Sequence, residues 1–201
     1  HKALEGADAV KPAEGNDPRN LCEPLGMPRT NHYNLNVTQI FQDEYKIAIL
    51  YQYDNRWRVI WTDGRELPKL VDGAVEISGE IREQRFFGYS VGRWVDDYTF
   101  AAETVGLDER TWLDNVGRPH SWEARVEERY VRRDLKHIEV TVTINDPTYY
   151  SKPWVALDRL PLRLQQDNFD IREMECSPSE FARYNKEFAE PAAGVEGDAP
   201  R

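Results

Sequence analysis

The sequence predicts an all-β fold: an antiparallel barrel or sandwich of about eight to ten strands, with one C-terminal helix and extended terminal arms. Three observations predict it. Short apolar-rich runs recur through the middle of the chain, separated by turn residues, which is the hairpin pattern. Two of these runs alternate between apolar and polar side chains, as a sheet with one dry and one wet face requires. Only one segment carries helix punctuation.

The elements follow in order. Residues 1–20 are polar and aperiodic and read as an extended arm. The expected strands are 34–41, 45–53, 56–62, 89–95, 98–104, 122–131, 136–144, 153–164 and 170–176, with a shorter one at 75–81. Trp122, Ala124, Val126 and Tyr130 share one face of their strand; Glu123, Arg125, Glu127 and Arg129 share the other. Ile138, Val140, Val142 and Ile144 likewise face away from His137, Glu139, Thr141 and Thr143. The helix spans 177–188. Ser177 suits the N-cap, Pro178 the first turn, and Glu180 completes a capping box. Phe181, Tyr184 and Phe188 form a stripe expected to pack on the barrel. Residues 189–201 read as a flexible tail, so 21–188 is a single domain.

Composition narrows the function. The chain has 201 residues, 40% of them hydrophobic, and a net charge of −10. An acidic chain lacks the basic face that nucleic acid demands. No apolar run approaches the roughly 20 residues of a membrane-spanning helix, so no membrane insertion is expected. No signal peptide is present, as a mature exported form would also show. The sequence holds no Gly-rich phosphate loop and no H-E-x-x-H. The histidines His1, His32, His120 and His137 have no metal-ligand spacing, so neither metal nor cofactor is expected. "GYSVG" (88–92) is followed by strand rather than helix, which argues against a nucleophile elbow. The two cysteines, Cys22 and Cys176, are either buried thiols or a disulfide tying the N-terminal arm to the last strand. We expect the disulfide, and with it an oxidising compartment.

Three places are candidates for chemistry. A two-residue turn at Asp96-Asp97 would put Ser90, Gly92, Trp94, Thr99, Ala101 and Glu103 on one face. Small residues there leave room inside a barrel, and a desolvated Glu103 suits acid–base work. The second is an aromatic wall of Tyr51, Tyr53, Trp57 and Trp61, with Arg58 or Arg93 available to fix an anionic group. The third is the long connection "TVGLDERTWLDNVGRPHS" (104–121). Asp114 and His120 are read there as a carboxylate–imidazole pair, and Trp112 as a cover for the barrel mouth. Glu103, Asp114 and His120 are thus the candidate catalytic residues. Arg58, Trp61, Arg93, Trp94 and Trp112 are the candidate ligand contacts. Asp146-Pro147, Tyr149, Tyr150 and Trp154 look structural, closing a barrel end.

"CEPLGMPR" (22–29), "WTDGRELP" (61–68), "GYSVGRW" (88–94), the 104–121 stretch and "INDPTYYSKPW" (144–154), in this order, resemble an uncharacterised family of secreted bacterial β-barrel proteins. The likeness covers roughly residues 20–177. It implies an exported protein with a calycin-like (lipocalin-like) barrel, and it brings no reaction or catalytic residue with it. The expected function is therefore an extracytoplasmic (periplasmic or secreted) barrel binding a small, partly apolar or aromatic molecule. The alternative is an enzyme of the same fold, a lyase, isomerase or hydrolase, acting on such a molecule. A third reading is a subunit whose terminal arms pack on a partner.

Overall fold

The computed structural model describes residues 17–32, 37–68, 75–77, 80–82, 85–189 and 191. Most of the two expected terminal arms lies outside them. Eight strands form one sheet: β1 (Thr38–Gln42), β2 (Lys46–Tyr51), β3 (Trp57–Trp61), β6 (Tyr89–Trp94), β7 (Thr99–Val105), β8 (Arg125–Arg132), β9 (His137–Asn145) and β10 (Trp154–Arg163). β4 (Val75–Ile77) and β5 (Glu80–Arg82) make a separate ribbon. Neighbours in the large sheet are antiparallel except β3 and β6, which pair in parallel through Ile60–Ser90 and Trp61–Val91. A parallel pair needs a long crossover, and residues 62–88 supply it.

The sheet curls into a half-barrel and stays open, with β1 and β10 as its free edges. This corrects the expectation of a closed barrel. β10 is a poor partner for closure. Its ladder to β9 shifts register between Val155 and Leu157 and again between Leu157 and Leu160, and Pro161 has no N–H to give. The bulges serve packing instead. They bring Trp154, Leu157, Leu160 and Leu162 opposite Ile144, Val142, Val140 and Ile138 despite their uneven spacing.

The concave face holds two apolar clusters. One contains Met27, Leu107, Leu113, Val126, Val140, Val142 and Ile144. The other contains Ile47, Ile49, Tyr51, Ile60, Phe100 and Ala102. Tyr130 packs against both.

The β6–β7 hairpin has a longer turn than expected. Asp96 Oδ1 accepts from the Tyr98 amide, and the Val95 amide bonds to the Thr99 carbonyl. The ladder therefore pairs Ser90 with Thr104, Gly92 with Ala102 and Trp94 with Phe100. One residue of slip moves every β7 side chain to the other face. Phe100, Ala102 and Thr104 point inward, and Glu103 points outward. Gly92 is needed where it sits: a Cβ there would lie 2.3 Å from Phe100 and 2.9 Å from Ile60. Gly92→Ala is expected to lose about 1–3 kcal/mol by overpacking, read as a lower urea midpoint at unchanged m-value.

The 170–176 segment is not a strand of the sheet; it lies along residues 52–55, with an isolated bridge from Met174 to Tyr53 and a hydrogen bond from Gln52 Nε2 to the Arg172 carbonyl. Helix α2 begins at Pro178, as its punctuation suggests, runs to Tyr184 and continues as a π-helical turn to Ala189. α1 is the short turn Arg29–His32. α2 rests on the 3-10 turn Pro18–Leu21 rather than on the sheet, and Tyr184 and Phe188 stay exposed. Cys22 and Cys176 are joined by a disulfide.

Candidate functional site

An ion pair lies buried on the concave face between the two apolar clusters. Arg58 comes from β3 and Glu128 from β8; their side chains are 1% and 0% exposed, and Nη2 is 2.7 Å from Oε2. Strand parity puts them there: Arg58 shares a face with buried Ile60, and Glu128 lies between Val126 and Tyr130. Arg58 Nε donates to Ser90 Oγ (3.0 Å), Nη2 to Thr104 Oγ1 (2.7 Å), and Nη1 lies 3.5 Å from Met27 Sδ. Glu128 Oε1 accepts from Tyr130 OH (2.7 Å), His32 Nε2 (3.0 Å) and Asn31 Nδ2 (3.3 Å).

Asn31 and His32 reach this position on α1. Arg29 of the same turn is 1% exposed. Its guanidinium donates to both Asp17 carboxylate oxygens (2.8 and 2.6 Å) and to Asn115 (2.9 Å), and it stacks on Trp112. The preceding Gly26 has φ +72° and packs so closely on Thr111 that a Cβ would come within 2.6 Å. The 104–121 connection thus fixes α1, and α1 places Asn31 and His32 against Glu128.

The electrostatics follow from burial and pairing. Burial opposes ionisation of Glu128, but the Arg58 guanidinium and the His32 ring together outweigh it and hold the carboxyl well below the usual carboxylate range. Burial also works against the Arg58 cation, and the Glu128 charge more than compensates. Burial pushes the Tyr51 and Tyr130 phenols upward, so both are neutral across the physiological range. The result is an ion pair of balanced charge, ringed by polar groups, in an apolar surround.

A cleft of about 140 Å³ opens between the sheet edges above this cluster. β1 supplies Thr38 and Ile40, β2 Ile49 and Tyr51, β8 Tyr130, β10 Leu160–Leu162, and α1 Asn31 and His32. Three buried polar atoms of its lining have no hydrogen-bond partner: Asn31 Oδ1, His32 Nδ1 and Tyr51 OH. Arg58 and Asn31 lie near the Tyr51 hydroxyl, but neither meets it in hydrogen-bond geometry.

Of the residues expected from the sequence, Arg58 belongs to this cluster and Tyr51 of the expected aromatic wall lines the cleft above it. Glu103 lies on the convex face, where Arg125 Nη1 is 2.5 Å away. Asp114 and His120 are both buried but do not pair. Asp114 accepts from the Val116 and Arg118 amides and the Arg118 side chain, so it caps its own loop. His120 bonds to Thr111 Oγ1 (2.8 Å) and faces the Ser121 carbonyl; burial lowers its pKa. Trp112 covers Arg29 rather than a barrel mouth. The aromatic wall is split: Tyr51 and Tyr53 are buried, with Tyr51 in the cleft lining, whereas Trp57 is 66% exposed on the convex face and Trp61 stacks under Arg65. Trp94 is exposed at the hairpin end against Phe100, and Arg93 points outward. Tyr150 does act structurally, donating to the Pro119 carbonyl (2.8 Å), while Asp146 binds Ser121 through its amide and hydroxyl.

Glu128, His32, Asn31 and Tyr130 were not expected as site residues, whereas Tyr51 was, as part of the aromatic wall. The signal for Glu128 was present: it has the parity of Val126 and Tyr130, and a carboxylate on a dry face needs a partner. His32 left no such signal, because it sits in an aperiodic stretch. Among the described residues there is no cluster of three or more metal-binding side chains, and no helix long and apolar enough to cross a membrane.

Fold and site together define an open β half-barrel with a neutralised ion pair beneath a cleft between its free edges. No protein-family model, curated protein or solved structure matches the chain.

Proposed function

We propose that the protein is an extracytoplasmic half-barrel that binds a small, partly apolar molecule in the cleft between β1 and β10. One observation carries this reading: an apolar-walled opening whose lining includes three buried polar atoms without partners. Such groups are rare because each costs free energy, and a ligand that pairs with them removes the cost. Apolar walls with a few convergent polar groups are the usual make-up of a small-molecule site. The disulfide and the resemblance to secreted proteins support export. Native mass spectrometry of the purified, oxidised protein tests the reading. A stoichiometric small organic molecule is expected, released on unfolding and absent when Ile49→Trp fills the cleft. Retention of the same molecule by Ile49→Trp would move the site elsewhere.

One observation favours the enzyme reading. Glu128 and His32 form the carboxylate–imidazole pair expected of Asp114 and His120. With Nε2 donating to Glu128, Nδ1 is the nitrogen left to accept a proton from a bound substrate. Under this reading the wild type converts the bound molecule to a product, and His32→Gln retains binding but stops conversion. Conversion undiminished in His32→Gln would exclude His32 as the base.

A further inference from the structure

We propose that the cleft selects an uncharged ligand that carries a hydroxyl or primary amide on a compact apolar body, such as an aromatic ring. This rests on the binding reading above and specifies its ligand class.

Size comes first. An apolar cavity of roughly 150 Å³ admits a benzene ring, and the cleft measures about 140 Å³ and opens at its mouth. Ile40, Ile49, Leu160, Pro161 and Leu162 form its apolar walls. A single ring fits between them, with room for substituents toward solvent.

Charge comes second. Neither member of the ion pair lines the cleft. Arg58 donates to Ser90 and Thr104 and is ion-paired with Glu128, with Met27 against the remaining nitrogen. Glu128 takes three donors on Oε1, while Oε2 accepts no hydrogen bond and is held by the Arg58 charge at 2.7 Å. The two charges cancel, and the phenols of Tyr51 and Tyr130 are neutral. An anionic or cationic group entering this surround would be desolvated, and among the described residues of the lining none is an aspartate, glutamate, lysine or arginine to offset its charge.

Hydrogen-bond type comes third. Asn31 Nδ2 is committed to Glu128, so its free Oδ1 is an acceptor. His32 Nε2 is committed likewise, and in the tautomer that donates from Nε2 the unpartnered Nδ1 is an acceptor. The Tyr51 hydroxyl both donates and accepts. These atoms ask for a group with at least one donor and one acceptor. An alcohol, a phenol or a primary amide meets that demand; an ether, an ester or a hydrocarbon does not.

The test uses the full, oxidised chain and five probes: benzamide, benzyl alcohol, toluene, benzoate and benzylamine. Binding is measured by calorimetry and ligand-observed NMR at about pH 8, where benzoate is an anion and benzylamine a cation. Benzamide and benzyl alcohol are expected to bind at least about tenfold more tightly than benzoate, benzylamine or toluene. Tyr51→Phe, which keeps the ring and removes only an unpartnered hydroxyl, is expected to weaken benzamide about tenfold and leave toluene unchanged. Ile40→Trp, at the cleft mouth, is expected to exclude every probe. Benzoate or benzylamine binding as tightly as benzamide overturns the selection and leaves the cleft-binding reading standing. Equal affinity for toluene and benzamide, unmoved by Tyr51→Phe, does the same. Absence of binding by all five probes overturns both.

Discussion

Glu128→Ala is expected to cost about 3–5 kcal/mol of folding stability, because it strands a buried charge. Arg58 has no water to turn to: its side chain is 1% exposed. The same substitution removes the acceptor of Tyr130 OH, His32 Nε2 and Asn31 Nδ2. The pair itself contributes much less than its breakage costs, since both ions were desolvated on folding. Arg58→Met with Glu128→Leu and Tyr130→Phe therefore should recover most of the loss. Ser90 and Thr104 can satisfy one another, being 2.9 Å apart; His32 and Asn31 keep a deficit that holds the triple variant short of full recovery. Urea unfolding of the variants decides the matter. A Glu128→Ala protein within about 1 kcal/mol of wild type would show that the cluster is hydrated and not sealed. If the apolar triple variant is nearly as stable as wild type yet binds nothing, the ion pair is kept for the site.

The same carboxylate sets the acid limb of stability. Its pKa in the fold lies well below the value of roughly 4.3 in an unfolded chain. Between the two values the unfolded chain binds the proton and the fold does not. The Glu128 contribution is therefore complete above roughly pH 4.3 and is lost as the pH falls through the folded value. Glu128→Gln should lack this slope. His120 acts in a higher window. Burial lowers its pKa, so the unfolded chain takes up the proton first and stability starts to fall as the pH drops through roughly 6.5.

Much of the sheet was legible because its long strands obey a period of two. β9 shows this best: Val140, Val142 and Ile144 are buried as their alternation requires. The site was less legible, for three physical reasons. In β8 the alternation is complete, but Glu128 is hard to read from it because a charged residue on an apolar face breaks the expected composition rather than the expected parity. In the β6–β7 hairpin the hydrogen bond of Asp96 to the Tyr98 amide added a residue to the turn. That single residue carried Glu103 to the convex face and Thr104 to Arg58. The cleft itself is set by curvature. Ile40 and Leu160 come from opposite edges of the sheet and meet across an opening that no local pattern encodes. The 104–121 connection looked catalytic because it is long, charged and aromatic. Its polar groups mostly answer one another: Asp108 binds Arg110, Asp114 binds Arg118, and Leu107 and Leu113 enter the core. It acts on the site at one remove, by holding Arg29 and hence His32.

Removing the disulfide should have the second large effect. The bridge spans 154 residues of chain, and closing a loop of that length constrains the unfolded state by about 5 kcal/mol in the chain-entropy model. The native contacts around it are thin. Residues 170–176 are held by backbone bonds such as Asp54 N to Met174 O and by Gln52 Nε2 to Arg172 O (3.1 Å). α2 buries no residue, and Phe169, Met174, Tyr184 and Phe188 remain exposed. Little apolar burial stands behind the bridge, so the segment from 170 to 184 should detach once it is cut. Cys22→Ser with Cys176→Ser is expected to lower Tm by about 10–20 °C for a chain of this size. Amide exchange should quicken first in that segment, while β8 and β9, paired on both sides, keep their protection. An unchanged Tm would mean that the unfolded chain is already compact enough to hold its ends together. The effect should also reach the cleft. Cys22 leads through Leu25–His32 into α1, so loosening it weakens the placement of Asn31 and His32. Affinity for a cleft ligand should fall in the double serine variant at temperatures where the sheet is intact, which ties the oxidised state of the protein to its capacity to bind.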